Sequence, residues 1–250
     1  MPDLSQTQPF AFTCEGGLIK SRSTFIMQPG QALELLNFEP DIKGGYRRIS
    51  GFRRQINHIV PQTSASSEKV LMVAFFNNNI LAARGEKIFS SASTELATAI
   101  TSSATMSGSG TITIDSTSGF SSSGTLQINS EIFTYTGKTS TTFTGVTRAT
   151  SSTSAAAHAV DDAVSESWTE RDTGRTSAGK YSFERFNFDG NDKIIVTDGT
   201  NDPTVFNTSL AATDVTESSV EGAKFVTAFK SHMFYAGMSS TPQQLVFSQP

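Results

Sequence analysis

Tyr181-Ser-Phe-Glu-Arg-Phe-Asn-Phe188, then Asp189-Gly190 and Lys193-Ile-Ile-Val-Thr197, is the stretch on which the fold turns. Side chains of an extended chain point alternately to opposite faces. Tyr181, Phe183 and Arg185 therefore share one face, and Ser182, Glu184, Phe186 and Phe188 the other. Asp-Gly favours the left-handed backbone of a tight turn, and the apolar run after it resumes an extended chain. The stretch predicts a β-hairpin.

The same grammar extends in both directions. Asp198-Gly-Thr-Asn-Asp-Pro203 turns into Thr204-Val-Phe206, and Lys224-Phe-Val-Thr-Ala-Phe229, His232-Met-Phe-Tyr-Ala236 and Gln244-Leu-Val-Phe-Ser248 follow as strands. Upstream, Val70-Leu-Met-Val-Ala-Phe-Phe76, bounded by Asn77-Asn-Asn79, leads to Ile80-Leu81-Ala82, then Arg84-Gly85-Glu86 and Ile88-Phe89. These read as three antiparallel strands. Short strands with turns every roughly 8–12 residues mark sandwiches, barrels or propellers, and groups of three or four favour propeller blades.

Residues 97–165 differ in texture, being dominated by Ser, Thr, Ala and Gly, with strands expected at Thr111–Ile114, Gly124–Ile128, Glu131–Tyr135 and Thr142–Val146. Such strands bury only a small core, that of a β domain of about 60 residues. The fold expected is all-β: propeller-like blades of short antiparallel strands with an inserted small β domain. Residues 1–96 supply an N-terminal arm and first blade, 97–165 the insertion, and 166–250 the continuation. The ends of a tolerated insertion should lie close together, and the segment should be separable.

Phe dominates the aromatics, 19 against 4 Tyr and 1 Trp, so the aromatics read as core rather than as a carbohydrate-binding surface. A net charge of −4 argues against static nucleic-acid binding, though not against a transient DNA contact. Cys14 is the only cysteine, which excludes a disulfide scaffold. No apolar run suggests a membrane span, and Met1-Pro-Asp-Leu lacks the features of a signal peptide, so synthesis in a cytoplasm is expected.

No catalytic, cofactor or metal constellation emerges. His58, His158 and His232 lie in different regions, and His232 reads as a packed or hydrogen-bonded strand residue. Asp189-Gly-Asn-Asp192 and Asp198-Gly-Thr-Asn-Asp202 could hold a hard cation but lack the spacing of a calcium loop, and they read as turns. Asp161-Asp162 makes a poor paired-carboxylate cleft for a depolymerase. Asn207-Thr-Ser209 matches a glycosylation acceptor that means nothing without secretion. The strongest charge feature is Lys43, Arg47, Arg48, Arg53 and Arg54, in a stretch with no acidic residue from Ile42 to Ser67. Arg forks suit carboxylates, so these five are the candidate interface residues.

A family resemblance runs through these residues. Gly16-Gly17-Leu-Ile-Lys-Ser-Arg-Ser, Gln28-Pro-Gly-Gln31, Leu36-Asn37-Phe-Glu and Gly44-Gly45-Tyr-Arg47-Arg48-Ile-Ser-Gly51-Phe-Arg resemble the opening of tail nozzle (tail tubular B-like) proteins of short-tailed phages. Tyr181–Phe188, Ile194–Gly199 and Phe229–Gly237 look like blade strands of that group, and Thr111–Phe120, Glu131–Gly137 and Phe143–Arg148 are similar to a small β module of phage virion proteins. The resemblance implies a structural, non-enzymatic component of a bacteriophage tail, without cofactor, that forms a cyclic ring such as a hexamer with copies of itself around the DNA ejection channel. Its partners would be other tail proteins and passing DNA, with no membrane, and its place the virion after synthesis in the bacterial host cytoplasm. A receptor-binding tail fibre or adhesin is the alternative. Full propellers need more strands than this, and Phe247-Ser-Gln-Pro250 reads as the start of another hairpin, which implies either a piece of a longer protein or a propeller completed in another way.

Overall fold

The computed structural model describes residues 18, 31–32, 34, 36–40, 46–49, 54–56, 58–62, 68–176 and 179–249. The chain divides into two compact units, Met1–Arg53 and Arg54–Pro250, and every regular element among the described residues is a β-strand. In the first unit β1 (Phe38–Pro40) and β2 (Tyr46–Arg48) pair antiparallel.

The second unit begins with β3 (Val70–Phe76), β4 (Asn79–Arg84) and β5 (Lys87–Glu95), antiparallel in sequence order. Phe76 pairs with Asn79, so the connection is Asn77-Asn78, with φ of +47° and +59°. Two successive left-handed residues match the right-handed twist of a hairpin, and Asn tolerates that conformation better than other side chains except Gly. The second turn places Gly85 at φ +57°. The three strands read from the sequence are present, with β5 running well past Phe89.

Next come β6 (Ser107–Thr113), β7 (Gly124–Ile128), β8 (Glu131–Tyr135), β9 (Gly137–Lys138), β10 (Thr142–Thr147) and β11 (Ala163–Glu166), and the chain then returns as β12 (Thr169–Asp172) to pair with β5. The first sheet is thus β3-β4-β5-β12, and the Ser/Thr-rich module enters between its third and fourth strands. Strand β11 lies between β5 and β7, so module and first sheet share one hydrogen-bonded ladder. The second sheet is β13 (Ser182–Phe186), β14 (Lys193–Thr197), β15 (Thr204–Phe206) and β16 (Ala212–Asp214); the third is β17 (Phe225–Phe229), β18 (His232–Ala236) and β19 (Leu245–Phe247).

Three details differ from the sequence reading. Phe186 pairs with Lys193, so the hairpin loop runs from Asn187 to Asp192 instead of closing tightly at Asp189-Gly190. Asp189 stabilises the wider loop by accepting from Asn191 N (3.1 Å) and Lys193 Nζ (2.7 Å). Phe247, read as the first residue of another hairpin, is the last residue of β19, the third strand of the third sheet, where the strand read at Gln244–Ser248 is present as Leu245–Phe247. Strands β12 and β16 are absent from the sequence reading because Thr-Glu-Arg-Asp and Ala-Thr-Asp lack apolar alternation; among the described residues each pairs on one flank only, β12 with β5 and β16 with β15.

Alternation assigns the faces. Ile194, Val196 and Phe206 pack with Met72, Phe76, Leu81 and Ile88 of the first sheet, while Ile195 and Val205 point the other way, toward Val226, Met233 and Tyr235 of the third. The second sheet is therefore sandwiched between the other two. Each fully buried Phe, Ile or Leu in these layers contributes about 1.5–3 kcal/mol.

The module has its own core of Leu126, Ile128, Phe133, Tyr135, Phe143, Val146 and Val164, closed by edge-on packing of Phe120 on Phe143 (5.1 Å). Its entry and exit adjoin: Leu96 N donates to Asp162 O (2.9 Å), and Ala163 pairs with Glu95. Ala92 and Leu96 of the β5 side also belong to this core, so the compositional boundary at residue 97 cuts through it. A second anchor holds the module to the β3–β4 turn, where Asn78 Nδ2 donates to Ser118 Oγ (2.8 Å) and Asn79 Nδ2 to Gly119 O (3.3 Å). Gly119, at φ +86°, permits this approach, since a Cβ there would sit 2.6 Å from Asn78 O.

Candidate functional site

The basic stretch is placed only in part, since Lys43 and Arg53 lie outside the described residues. Arg47 and Arg48 are exposed on β2 of the first unit, and Arg54 is exposed at the start of the second. The expectation that the stretch lacks a local acidic partner is corrected at Arg47. Register places Glu39 opposite it, and Nε donates to Glu39 Oε1 at 2.7 Å. The acid comes from the neighbouring strand, which a search along the sequence window misses. An exposed pair of this kind contributes about 0–1 kcal/mol.

The buried polar chemistry lies elsewhere. In the module, Glu131 opens β8 with its side chain fully buried. Its Oε1 accepts from Arg148 Nε (2.8 Å) and Ala149 N (3.1 Å), and its Oε2 from Arg148 Nη2 (2.7 Å), Ala156 N (2.9 Å) and His158 Nε2 (2.8 Å). Arg148 spends its remaining donors on the carbonyls of Thr101 (2.8 Å), Ala104 (3.1 Å) and Ala156 (2.6 Å). All five guanidinium N–H groups are engaged. Burial alone would raise the Glu131 carboxyl, but the bonds from Arg148, His158 and Ala156 outweigh it and hold it at about 2.

With every position filled, this triad acts as a clasp. It ties the loop before β6, the start of β8, the end of β10 and the loop before β11. A group whose folded pKa lies below its unfolded value stabilises the fold above the unfolded pKa and loses that contribution as pH falls through the folded one. Module stability should therefore decline from about pH 4.5 toward pH 2. Thermal unfolding across that range checks this: a slope that persists in Glu131→Gln would assign it to other carboxylates.

A second network joins the first two sheets. Arg175, buried in the loop after β12, donates from Nη1 to Asp172 Oδ2 (2.6 Å) and Thr204 Oγ1 (2.6 Å), and from Nη2 to Asp198 Oδ2 (2.7 Å). Thr204 Oγ1 donates on to Asp214 Oδ1 (2.7 Å), and the guanidinium lies 5.6 Å from the Tyr181 ring centroid. Asp198 further accepts from the backbone N of Thr200 (2.9 Å) and Asn201 (2.8 Å). Burial opposes its ionisation, yet Arg175 and Asn201 keep its carboxyl below the ordinary range. The Asp198–Asp202 segment is thus a turn whose first acid is committed to an internal cation.

His232, read as a packed or hydrogen-bonded residue, meets Ser248 O at 2.6 Å through Nδ1 and stands edge-on to Phe247. A cleft of about 450 Å³ opens beside β13 and β17, lined by Lys180, Tyr181, Asp198, Lys224 and Phe225. The carboxylate on its wall is the one engaged by Arg175. The sequence reading missed both networks because their side chains are spread over 27 and 42 positions, from Glu131 to His158 and from Asp172 to Asp214; the only visible signal was a lone acid at the head of a strand otherwise rich in Thr and aromatics.

The chain matches no known protein family and no curated protein. Among solved structures it is similar to one named Phage phi92 endosialidase, at 14% identity and a TM-score of 0.39, over 76% of this chain and 38% of that one. The chain thus spans well under half the length of that protein. The expectation of a non-enzymatic chain is corrected by this finding, because the matched structure carries the name of an enzyme. A likeness this slight assigns no activity to the present chain. No helix among the described residues is long and apolar enough to cross a membrane.

Proposed function

We propose that this chain is a structural component of a bacteriophage tail, a ring-forming nozzle or tail-tube subunit around the DNA ejection channel, which acts in the virion with copies of itself and other tail proteins. The observation that supports this most is the succession of antiparallel sheets stacked face to face, with a small β module entering between the third and fourth strands of the first. This is the arrangement that blades with an insertion require, and it agrees with the sequence resemblance to nozzle proteins. Its mechanism is mechanical: rigid layers fix neighbouring subunits and transmit displacement as whole bodies. The separate core of the module is the feature on which the rival reading, a receptor-binding fibre or adhesin, would rest.

Arg48 and Arg54, exposed and with no ion pair to a described residue, are the cleaner probes of the proposed interface, since Arg47 already has Glu39. Arg48→Glu with Arg54→Glu should raise the subunit concentration needed for half-assembly by about tenfold or more, the equivalent of about 1.4 kcal/mol, because reversal places like charges against an acidic partner face. Mass photometry of the wild type and the double variant measures it. Unchanged rings would remove these residues from the interface. A monomeric wild type that binds host cells would favour the adhesin reading.

A further inference from the structure

Cross-strand partners share a face of a sheet. Ala82, Phe89 and Glu170, and with them Arg84 opposite Lys87 and Ser93 opposite Ser165, therefore lie on the side of the first sheet turned away from the second. Ala82, Phe89 and Ser91 are nonetheless buried. Residues 54–56 and 58–62 form a strap across this face. Gln55 Nε2 donates to Ser93 Oγ (3.5 Å), Trp168 Nε1 donates to His58 O (3.1 Å), and Arg84 donates from Nη1 to Val60 O and from Nε to Glu68 O (3.1 Å). Ile56, His58 and Val60 are half-buried while Ile59 is 85% exposed, so the strap alternates as an extended chain does, with His58 at the centre of its inward residues. It starts at Arg54, where the first compact unit gives way to the second.

His58 is the weak point of this contact, because its Nε2 is buried without a partner. A neutral imidazole needs an N–H on one ring nitrogen alone, whereas the cation carries one on both and would bury a charge together with an unmet donor. Burial accordingly pulls the His58 pKa below its ordinary 6.5, against a smaller opposite pull from the Ser165 backbone. The charged groups on the covered face are Arg84 of β4, Lys87 and Glu95 of β5 and Glu170 of β12, with Arg54 and Glu68 flanking the strap itself. Lys87 and Glu170 pair with each other at 2.6 Å, and no described carboxylate supports a charge on His58.

We propose that the strap is an acid-released latch: protonation of His58 lifts it from the first sheet and frees the link between the two compact units. The docked strap prefers the neutral ring, so docking is at full strength above pH 6.5 and weakens below it. The loss is at most about tenfold per pH unit and stops once the pH has passed the lowered pKa of the docked residue. The Glu131 clasp begins to fail only below about pH 4.5, so the interval from pH 6.5 to pH 5 reads the latch alone. The inference stands apart from the ring reading and would hold equally for a fibre subunit.

The test uses the full chain and a reporter already in place, since Trp168 is the only tryptophan and its ring is bonded to the strap. Acrylamide quenching of Trp168 is measured between about pH 7.5 and pH 5, with circular dichroism verifying that the strands persist. In the wild type the quenching constant should rise about twofold, with a midpoint below pH 6.5. His58→Phe keeps an aromatic ring over the sheet without a titrating group and should hold the protected value throughout. His58→Lys carries a charge at every pH in the range and should show the higher value already at pH 7.5. A wild type whose quenching stays flat would overturn the proposal. A step that survives in His58→Phe would do so too, by passing the titration to His158, His232 or a carboxylate. A His58→Lys chain as protected as the wild type at pH 7.5 would show that the strap tolerates the charge, and the latch would fall with it.

Discussion

Replacing Arg148 with Ala is expected to destabilise the inserted module by about 3–5 kcal/mol, the range for removing one partner of a buried ion pair. The loss is large because Glu131 would keep its buried carboxylate without its main counter-charge, and the carbonyls of Thr101, Ala104 and Ala156 would lose their donor together. The guanidinium also lies 5.7 Å from the Phe133 ring centroid, so the substitution leaves a void beside the core. Lys at this position offers three donors without the planar fork and should recover only part of the loss. Amide hydrogen exchange on β8 and β10 is the direct measurement. A change below about 1 kcal/mol would mean that the Thr-rich ladder, and not the clasp, holds the module.

Arg175→Ala should cost a similar amount, about 3–5 kcal/mol, but in the stacked sheets instead of the module. The substitution would leave Asp172 and Asp198 close together without the cation between them, and would release the loop that ties β12 to β15. Chemical denaturation followed through Trp168 next to β12 should show the midpoint falling. Arg185→Ala is the control: Arg185 is exposed and only overlies the Phe76 ring at 5.7 Å, so its removal should stay within about 0.5 kcal/mol. Equal effects at the two positions would mean that burial of the Arg175 network contributes nothing.

Much of the layering was legible in the sequence because it rests on side-chain period and turn chemistry. Val70–Phe76 and Lys193–Thr197 announce themselves by apolar content, and Asn77-Asn78 marks a hairpin wherever it falls between such runs. The shift to Ser and Thr after residue 97 falls near the start of the strands that pack in the module core, but composition reports where apolar residues thin out, not where a ladder ends. Strand β5 ends at Glu95, before the shift, yet Ala92 within it and Leu96 just beyond it already lie in the module core. The polar strands, β12 and β16, were silent for the same reason. The buried networks were illegible in a stronger sense: Glu131 and Arg148 meet only after β8 and β10 have folded, and nothing in either neighbourhood reveals the other. Arg47 and Glu39 were close enough in sequence to be found, and needed only the register of one short strand pair.

The ribbon formed by β5 with β11 and β12 gives the module an unusual attachment. Inserted domains commonly hang from two single strands of backbone and swivel about them. Here entry and exit chains are cross-linked to each other, Glu95 with Ala163 through Ser93 with Ser165 on the module side and Ser90 with Thr169 on the sheet side, and the Asn78–Ser118 bond braces one flank. A torque on the module cannot be absorbed by rotation of a few free dihedrals. A pull along β5 loads its ladder bonds in parallel, whereas a sideways pull opens them one at a time, so the attachment should be stiff to tension along the strand and weak to peeling. Force spectroscopy with handles placed in the two directions would read that anisotropy as a difference in rupture force.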